Sequence, residues 1–261
     1  MRISVIGAGV MGEALIAALI KAGHTPDHIE IIEKRQERCD ELVTKYSIKV
    51  GHELNNSDVV LLVTKPQDID SVLAEINGKV KEGALLVSFA AGKKIATISN
   101  GVNGKNPVVR VMPNTPTLVG KGAAGYSLGE GVTDHQKKFV IDFLGAAGIA
   151  VEVEEELQDA VTATSGSGPA YFFAFVESMV KGAKDLGLSE EVATQLTVQT
   201  IIGAAELLAT SGKSATTLRE NVTSPNGTTA AALKSFADSG LEEIVYKAMK
   251  AAHDRSIELS S

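Results

Sequence analysis

The chain has 261 residues, 44% of them hydrophobic, enough to bury a full core in one large domain or two moderate ones. A formal charge of −7 and a pI near 5.3 argue against nucleic acid or an anionic membrane as partner, since both need a basic footprint. Cys39 is the only cysteine and the five histidines lack ligand spacing, which excludes an intrachain disulfide and leaves no expected metal site.

The start, Met-Arg-Ile-Ser-Val-Ile, lacks the long apolar stretch of a signal peptide, and no apolar run reaches the roughly 18 residues that span a bilayer. A cytoplasmic protein fits best. Short apolar runs at 3–6, 29–32, 59–63, 85–89, 108–112 and 149–153 read as buried parallel strands. Between the first two, Met11, Leu15, Ala18, Leu19 and Ala22 recur at helical spacing and Gly23 sits at a C-cap position, completing a βαβ unit. Thr133 with Gln136 forms a capping box for a helix running to about Leu144. Beyond Glu152 the strand signals stop. Helical patterns take over at about 157–186, 190–209, 228–237 and 241–257, so a domain boundary is placed there, giving domains 1–156 and 157–261. Apolar residues on more than one helix face, among them Val198, Ile201, Ile202, Leu207 and Leu208, predict burial against another subunit.

Gly7-Ala8-Gly9-Val10-Met11-Gly12 follows the first strand directly and opens the first helix. Alone, the glycine spacing is a weak signal; in this strand-turn-helix context it is the dinucleotide fingerprint. Gly7 serves the tight turn, Gly9 the approach of the pyrophosphate and Gly12 the helix-sheet contact. Glu33-Lys34-Arg35 ends the second strand, where a ribose-recognising acid is expected. There the signals conflict. Glu33 suits the 2′-hydroxyl of NAD, while Lys34 and Arg35 suit the 2′-phosphate of NADP or are plain surface charges, as are Glu37 and Arg38; the balance leans to NADPH and leaves NADH open.

Thr64-Lys65-Pro66 follows the 59–63 run at the carboxyl end where open α/β sheets bind ligands, and Lys65 is either a cofactor contact or a surface lysine. Ala90-Ala91-Gly92 offers small residues beside which a nicotinamide ring can lie. In Arg110-Val111-Met112-Pro113-Asn114-Thr115-Pro116, Asn114 sits in a rigid loop between prolines, and Arg110 reads as a paired charge at a sheet edge. Thr164-Ser165-Gly166-Ser167-Gly168-Pro169-Ala170-Tyr171 lacks the register of a serine nucleophile and reads as a kinked helix segment. Downstream, Asn221-Val222-Thr223-Ser224-Pro225-Asn226-Gly227-Thr228-Thr229 and the apolar run after it carry no charge. They form a loop opening a helix whose free N–H groups suit a small carboxylate. A hairpin at Asn226-Gly227 is rejected, because no alternating strand follows.

Taken together, these stretches resemble pyrroline-5-carboxylate reductases in order and approximate spacing from end to end, and the Ser-Pro-Asn-Gly-Thr-Thr loop on a helical second domain is the specific element. The resemblance implies an α/β protein with an N-terminal Rossmann-like doubly wound sheet followed by an all-helical dimerisation domain, with homodimers assembled into larger rings. It implies hydride transfer from NADPH or NADH to the C5 imine carbon of a small cyclic imino acid, 1-pyrroline-5-carboxylate, giving L-proline. It places the cofactor against Ile6, Gly7, Ala8, Gly9, Val10, Met11, Gly12, Glu33, Lys34, Arg35, Val63, Thr64, Lys65, Pro66, Ala90, Ala91 and Asn114. The substrate falls to Ser224, Asn226, Gly227, Thr228 and Thr229, with the Thr229 hydroxyl toward the ring nitrogen as the one catalytic group, and Glu155 lines up with an acidic position near the substrate. The chain departs from the family at Glu33-Lys34-Arg35, which replaces the short polar or Asn-Arg-like sequence of NADP-preferring members. A six-membered cyclic imine as substrate and a non-catalytic nucleotide sensor are the competing readings.

Overall fold

The computed structural model describes residues 1–259, so the last two positions of the expected 157–261 domain lie outside the described residues. In chain order the elements are β1 (Ile3–Ile6), α1 (Val10–Lys21), β2 (Ile29–Ile32), α2 (Gln36–Tyr46), β3 (Lys49–Val50), β4 (Val59–Leu62), α3 (Ile69–Ile76), β5 (Leu85–Ser88), α4 (Ile95–Gly101), β6 (Val108–Met112), β7 (Gly122–Leu128), α5 (Asp134–Ala146), β8 (Gly148–Glu152), α6 (Gln158–Val161), α7 (Gly168–Asp185), α8 (Glu190–Thr210), α9 (Ala215–Asn221), α10 (Thr228–Asp238) and α11 (Leu241–Leu259). They form two compact units, one of Met1–Pro169 with the chain from Ala251 onward, the other of Ala170–Lys250.

The first unit is built on one sheet in the order β3-β2-β1-β4-β5-β6-β7-β8. Strands β1 to β6 are parallel. Alternating side chains feed two separate cores: Ile3, Val5, Ile31 and Val87 pack with Leu15, Leu19, Leu42 and Phe143 on one face, while Ile6, Val60, Leu62 and Leu86 pack with Ile69, Leu73 and Ile98 on the other. Because helices cover both faces, each central strand is apolar throughout, and this is why the strands stand out as unbroken runs. Helix α1 ends as expected, with Gly23 left-handed at φ 95, and α5 starts on the full Thr133–Gln136 capping box.

Two expectations are corrected and two features went unforeseen. The 149–153 run is not a buried member of the parallel set: β8 is an exposed edge strand, parallel only to β7, and β7 runs antiparallel to β6. Strand β7 escaped notice because Gly-Ala-Ala-Gly-Tyr-Ser-Leu contains no apolar run. A side chain at Gly125 would come 2.7 Å from Val161, so small residues are what let the following helix pack on this strand. Arg110 consequently lies inside the sheet and not at its edge; it is 4% exposed. Its guanidinium reaches Glu155 at 3.4 Å and Asp159 at 3.8 Å, and Asp159 also accepts from the Ser256 hydroxyl at 2.6 Å. Lastly, α8 is long and apolar enough by length and composition to cross a membrane. Counting consecutive apolar residues missed it, because Gln195, Thr197, Gln199 and Thr200 interrupt the run without much lowering the average.

Charge also ties α2 to α1. The Glu13 carboxylate accepts from Lys45 at 2.8 Å and Tyr46 at 3.1 Å and pairs with Arg38. Arg38 in turn donates to the Ala8 carbonyl at 2.8 Å, fixing the turn after β1. The hydrogen bond from Lys45, with help from Arg38 and Tyr46, holds the Glu13 carboxyl at about 2 against an ordinary 4.5.

In the second unit only Ala193 and Thr197 are fully buried among the described residues, while Phe172, Phe173, Leu196, Ile202, Ile244 and Tyr246 are exposed. A continuous turn of π-helix at Thr162–Gly166 precedes α7, the distortion expected of the Ser-Gly-Ser-Gly stretch.

Two stability measurements follow from these contacts. Arg110→Leu leaves two carboxylates without their cation and should lower the unfolding free energy by about 3 kcal/mol, read from urea midpoints; a loss within the roughly 0.5 kcal/mol of an ordinary surface change would contradict the network. The depressed Glu13 pKa means that its stabilisation is complete above the ordinary 4.5 and fades as pH falls toward 2. Glu13→Gln should therefore lose less stability than the wild type between about pH 5 and pH 3, and parallel losses would show that the carboxylate is not held this way.

Candidate functional site

Strand order reverses between β1 and β4, the switch point at which an open α/β sheet leaves a crevice beyond its carboxyl ends. Ile6 pairs with both Ile32 and Leu62, so the loops after β1, β2 and β4 leave the sheet at one level. Among them lies a crevice of about 870 Å³, lined by Ile6, Gly7, Gly9, Val10, Glu33, Lys34, Arg35, Val63, Thr64 and Lys65. Ile32, Leu54, Val72 and Ile76 give it an apolar patch, beside polar side chains that include His52, Gln67, Ser71 and Glu75.

The glycines are fixed by contact. Gly7 has φ +90, and a side chain there would lie 2.6 Å from the Val63 carbonyl. A side chain at Gly12 would collide with the Gly7 carbonyl, so α1 could not approach the turn. Gly9 meets nothing and caps α1 without a side-chain bond, leaving the first N–H groups of that helix to a ligand. Thr64 carries a buried hydroxyl with no partner at the crevice wall. An open glycine lip, an unclaimed helix start, an orphaned hydroxyl and an apolar slot together fit a dinucleotide: pyrophosphate on the first two, adenine in the last.

Glu33 stands at the mouth, where its carboxylate accepts from the Ala8 N–H at 3.1 Å and from Arg35 through the backbone N–H at 3.1 Å, Nε at 3.0 Å and Nη2 at 3.2 Å. The Arg35 hydrogen bond is the main reason why its pKa lies at about 2. Sequence reasoning took Arg38 for a surface charge, whereas it is largely buried and braces Ala8. Glu13 on α1, with Arg38 and Lys45 two turns apart on α2, was the signal available for it.

The remaining expected cofactor residues do not line this crevice. Ala8 is buried behind it and Met11 packs on the core. Pro66 opens a short 3-10 turn after Lys65. Ala90 is buried and Ala91 leads into Gly92, whose φ is +75. Asn114 links two segments, accepting from Ala123 N–H at 2.9 Å and donating to the Ser165 carbonyl at 3.1 Å. Glu155 accepts from Ile95 N–H at 2.6 Å and from Arg110, anchoring the start of α4. Among the described residues no group of His, Cys, Asp and Glu could hold a metal ion.

The uncharged loop belongs to the second unit. Gly227 N–H donates to the Ser224 carbonyl at 3.0 Å, with Pro225 second and left-handed Asn226 (φ 58) third, the pattern of a type II turn. Gly227 then caps α10 with no side-chain hydrogen bond, which leaves the N–H groups of Thr228 and Thr229 without a capping partner. It is a helix start and no hairpin. A side chain on Gly227 would come 2.7 Å from the Ser224 hydroxyl and 3.1 Å from its carbonyl, so the turn is tight and a larger residue there would displace the hydroxyl.

Comparison with known proteins agrees with this arrangement. Residues 155–259 match the family model described as pyrroline-5-carboxylate reductase dimerisation, and residues 2–92 match one described as NADP oxidoreductase, coenzyme F420-dependent. The chain is 41% identical to the pyrroline-5-carboxylate reductase of Corynebacterium melassecola, covering 98% of both chains. Among solved structures it resembles a pyrroline-5-carboxylate reductase from Coxiella burnetii, at 34% identity and TM-score 0.93 over 100% of this chain and 98% of that one. It also resembles the Plasmodium falciparum pyrroline carboxylate reductase with NADP bound, at 30% identity and TM-score 0.87 over 100% of this chain and 98% of that one. Identity of this degree over the whole length, on a crevice and a loop built as described, makes the chain a member of the pyrroline-5-carboxylate reductase family.

Proposed function

We propose that the protein reduces 1-pyrroline-5-carboxylate to L-proline with NADPH or NADH, the closing step of proline biosynthesis. The observation that carries this reading is the uncapped helix start at Gly227, built by the Ser224-Pro225-Asn226 turn, in a chain that also holds a dinucleotide crevice. The reduced nicotinamide, when bound, supplies the hydride that saturates C5 of the ring.

The protein's own groups bind and orient. Backbone N–H groups at Gly9, Val10, Met11 and Gly12 receive the pyrophosphate, those of Gly7 and Ala8 being held by the Ile32 carbonyl and the Glu33 carboxylate, and Glu33, Lys34 and Arg35 face the adenosine ribose. Ile6, Val63, Thr64 and Lys65 wall the crevice and Pro66 fixes the turn behind Lys65, Ala90 and Ala91 leave room for a flat ring, and Asn114 secures its loop. N–H groups of Thr228 and Thr229 hold the substrate carboxylate, while the Gly227 N–H closes the turn that Ser224 and Asn226 shape. The Thr229 hydroxyl lies against the ring nitrogen, donating to it as the neutral imine and accepting from it once it is protonated. A protonated imine is electrophilic enough that orientation is the main requirement, and a threonine hydroxyl is too weak an acid to do more than relay a proton. Glu155 serves the substrate only through Oε2, because Oε1 is held by Ile95 and Arg110.

The division of labour runs at 156/157, beside the start of the matched dimerisation segment at residue 155. Apolar side chains exposed on α7, α8 and α11 support a homodimer through the helical part, and we extend this to a ring of dimers. The same reading gives the apolar face of α8 to a second subunit and not to a bilayer, and puts the protein in the cytoplasm.

Purified protein given 1-pyrroline-5-carboxylate should consume NADPH or NADH, followed by loss of nicotinamide absorbance; no turnover with either would contradict the assignment. Thr229→Ala should lower kcat/KM by about 10- to 100-fold, the worth of one hydrogen bond to a charged group, while cofactor binding stays unchanged.

A further inference from the structure

The loop between β5 and α4 has weak bonds of its own. Ala90 N–H reaches the Ser88 hydroxyl at 3.4 Å and Lys93 N–H the Ala90 carbonyl at 3.3 Å, both long for hydrogen bonds. Closer ties come from other elements of the first unit. Lys93 pairs with Asp70 at 3.1 Å, and the Ile95 N–H donates to Glu155 at 2.6 Å. Ahead of both, Gly92 lies against the last turn of α11: a side chain there would come 3.1 Å from the Leu259 carbonyl carbon and 3.2 Å from its Cβ. That turn is pinned three residues earlier, on the same helix face, where Ser256 is 3% exposed and donates to Asp159 at 2.6 Å. Asp159 and Glu155 share Arg110, at 3.8 and 3.4 Å, so the carboxylates that hold the end of α11 and the start of α4 stand on one buried cation. None of Gly92, Ser256 and Leu259 lines the nucleotide crevice.

We propose that Ser256 and Leu259 are positioning residues for hydride transfer: the last turn of α11, pinned through Asp159 to Arg110, sets the place of the Ala90-Ala91-Gly92 loop and with it the surface on which the nicotinamide rests. The inference rests on reading Ala90 and Ala91 as the nicotinamide side of the cofactor site. Two alanines and a glycine at φ +75 offer no long side chain that could hold such a loop, so its position comes from what packs on it. Hydride transfer needs the reacting carbons about 3 to 3.5 Å apart, and a misplacement of about 1 Å by a remote change costs on the order of 100-fold in rate. Affinity behaves differently. It is supplied largely at the glycine lip, where pyrophosphate and adenosine are held, and a small shift at Gly92 leaves it alone.

The expected signature is a loss of rate without a loss of cofactor. Wild type, Ser256→Ala, Leu259→Gly and Asp58→Ala are compared with NADPH or NADH, whichever turns over faster on 1-pyrroline-5-carboxylate. The readouts are kcat, the cofactor dissociation constant without substrate, and the isotope effect on kcat with cofactor dideuterated at nicotinamide C4. Ser256→Ala releases the bond to Asp159 and should lower kcat by about tenfold, raise the isotope effect and leave the dissociation constant within about twofold. Leu259→Gly removes the Cβ over Gly92 and loosens the helix end, and it should act in the same direction. Leu259 is 42% exposed, so this variant decides the question if Ser256→Ala does not fold. Asp58→Ala loses its bonds to the Arg2 N–H and Lys81 at the amino end of β4, the opposite end of the sheet; it should lower stability and leave kcat and the isotope effect as in wild type. An unchanged kcat in the α11 variants, an isotope effect that stays level as kcat falls, or a rate loss shared by Asp58→Ala would overturn the inference. Wild-type protein that binds cofactor but does not reduce the imine would instead overturn the assigned reaction, and the inference with it.

Discussion

Everything at the crevice depends on how closely the backbone approaches itself where β1 turns into α1. The Gly7 Cα faces the Val63 carbonyl at a distance that leaves no room for a side chain, and the Gly7 carbonyl occupies the space that a side chain on Gly12 would need. These contacts exist because β1 is paired on both sides in register, Ile6 beside Ile32 and Leu62, so three strands deliver their loops to one line. Shift the register by one residue and every strand side chain changes face. The two cores that bracket the sheet hold the register, and through it the position of the glycine lip.

An enzyme with a formal charge of −7 must bind a polyanionic cofactor and an anionic substrate. Donors local to the crevice and the loop can serve this without a basic surface, because their reach is short compared with the screening length. Helix starts at Val10 and Thr228 offer N–H groups that no side chain claims. Of the cations near the first turn, Arg35 is neutralised by Glu33 and Arg38 braces the backbone at Ala8, while Lys34 and Lys65 line the crevice itself. Specificity then comes from where donors are held and owes little to net charge.

Much of this was legible in the sequence where the signal was local. The fingerprint, the capping box at Thr133 and the Ser-Pro-Asn-Gly-Thr-Thr loop each specify their own geometry within a few residues, and the buried strands announce themselves because both faces are covered. What remained hidden was set by partners distant in the chain. Strand β7 is chosen by the space left beneath Val161 and by no apolar pattern. Arg110 becomes an interior cation only because β7 covers the edge where it was expected, and Glu155 is drawn to Ile95 and Arg110 across some 60 and 45 positions of sequence. The bracing role of Arg38 depends on the packing of α2 against α1, which its own surroundings in sequence do not reveal.

The central claim is that one chain carries both halves of the chemistry: a glycine lip for the dinucleotide and the helix start after Asn226 for the carboxylate. The most direct test is a crystal structure of the protein with NADP⁺ and L-proline. The account predicts the pyrophosphate against the N–H groups of Gly9, Val10, Met11 and Gly12 and the proline carboxylate against those of Thr228 and Thr229. A proline carboxylate held elsewhere, with these N–H groups left to water, would contradict it.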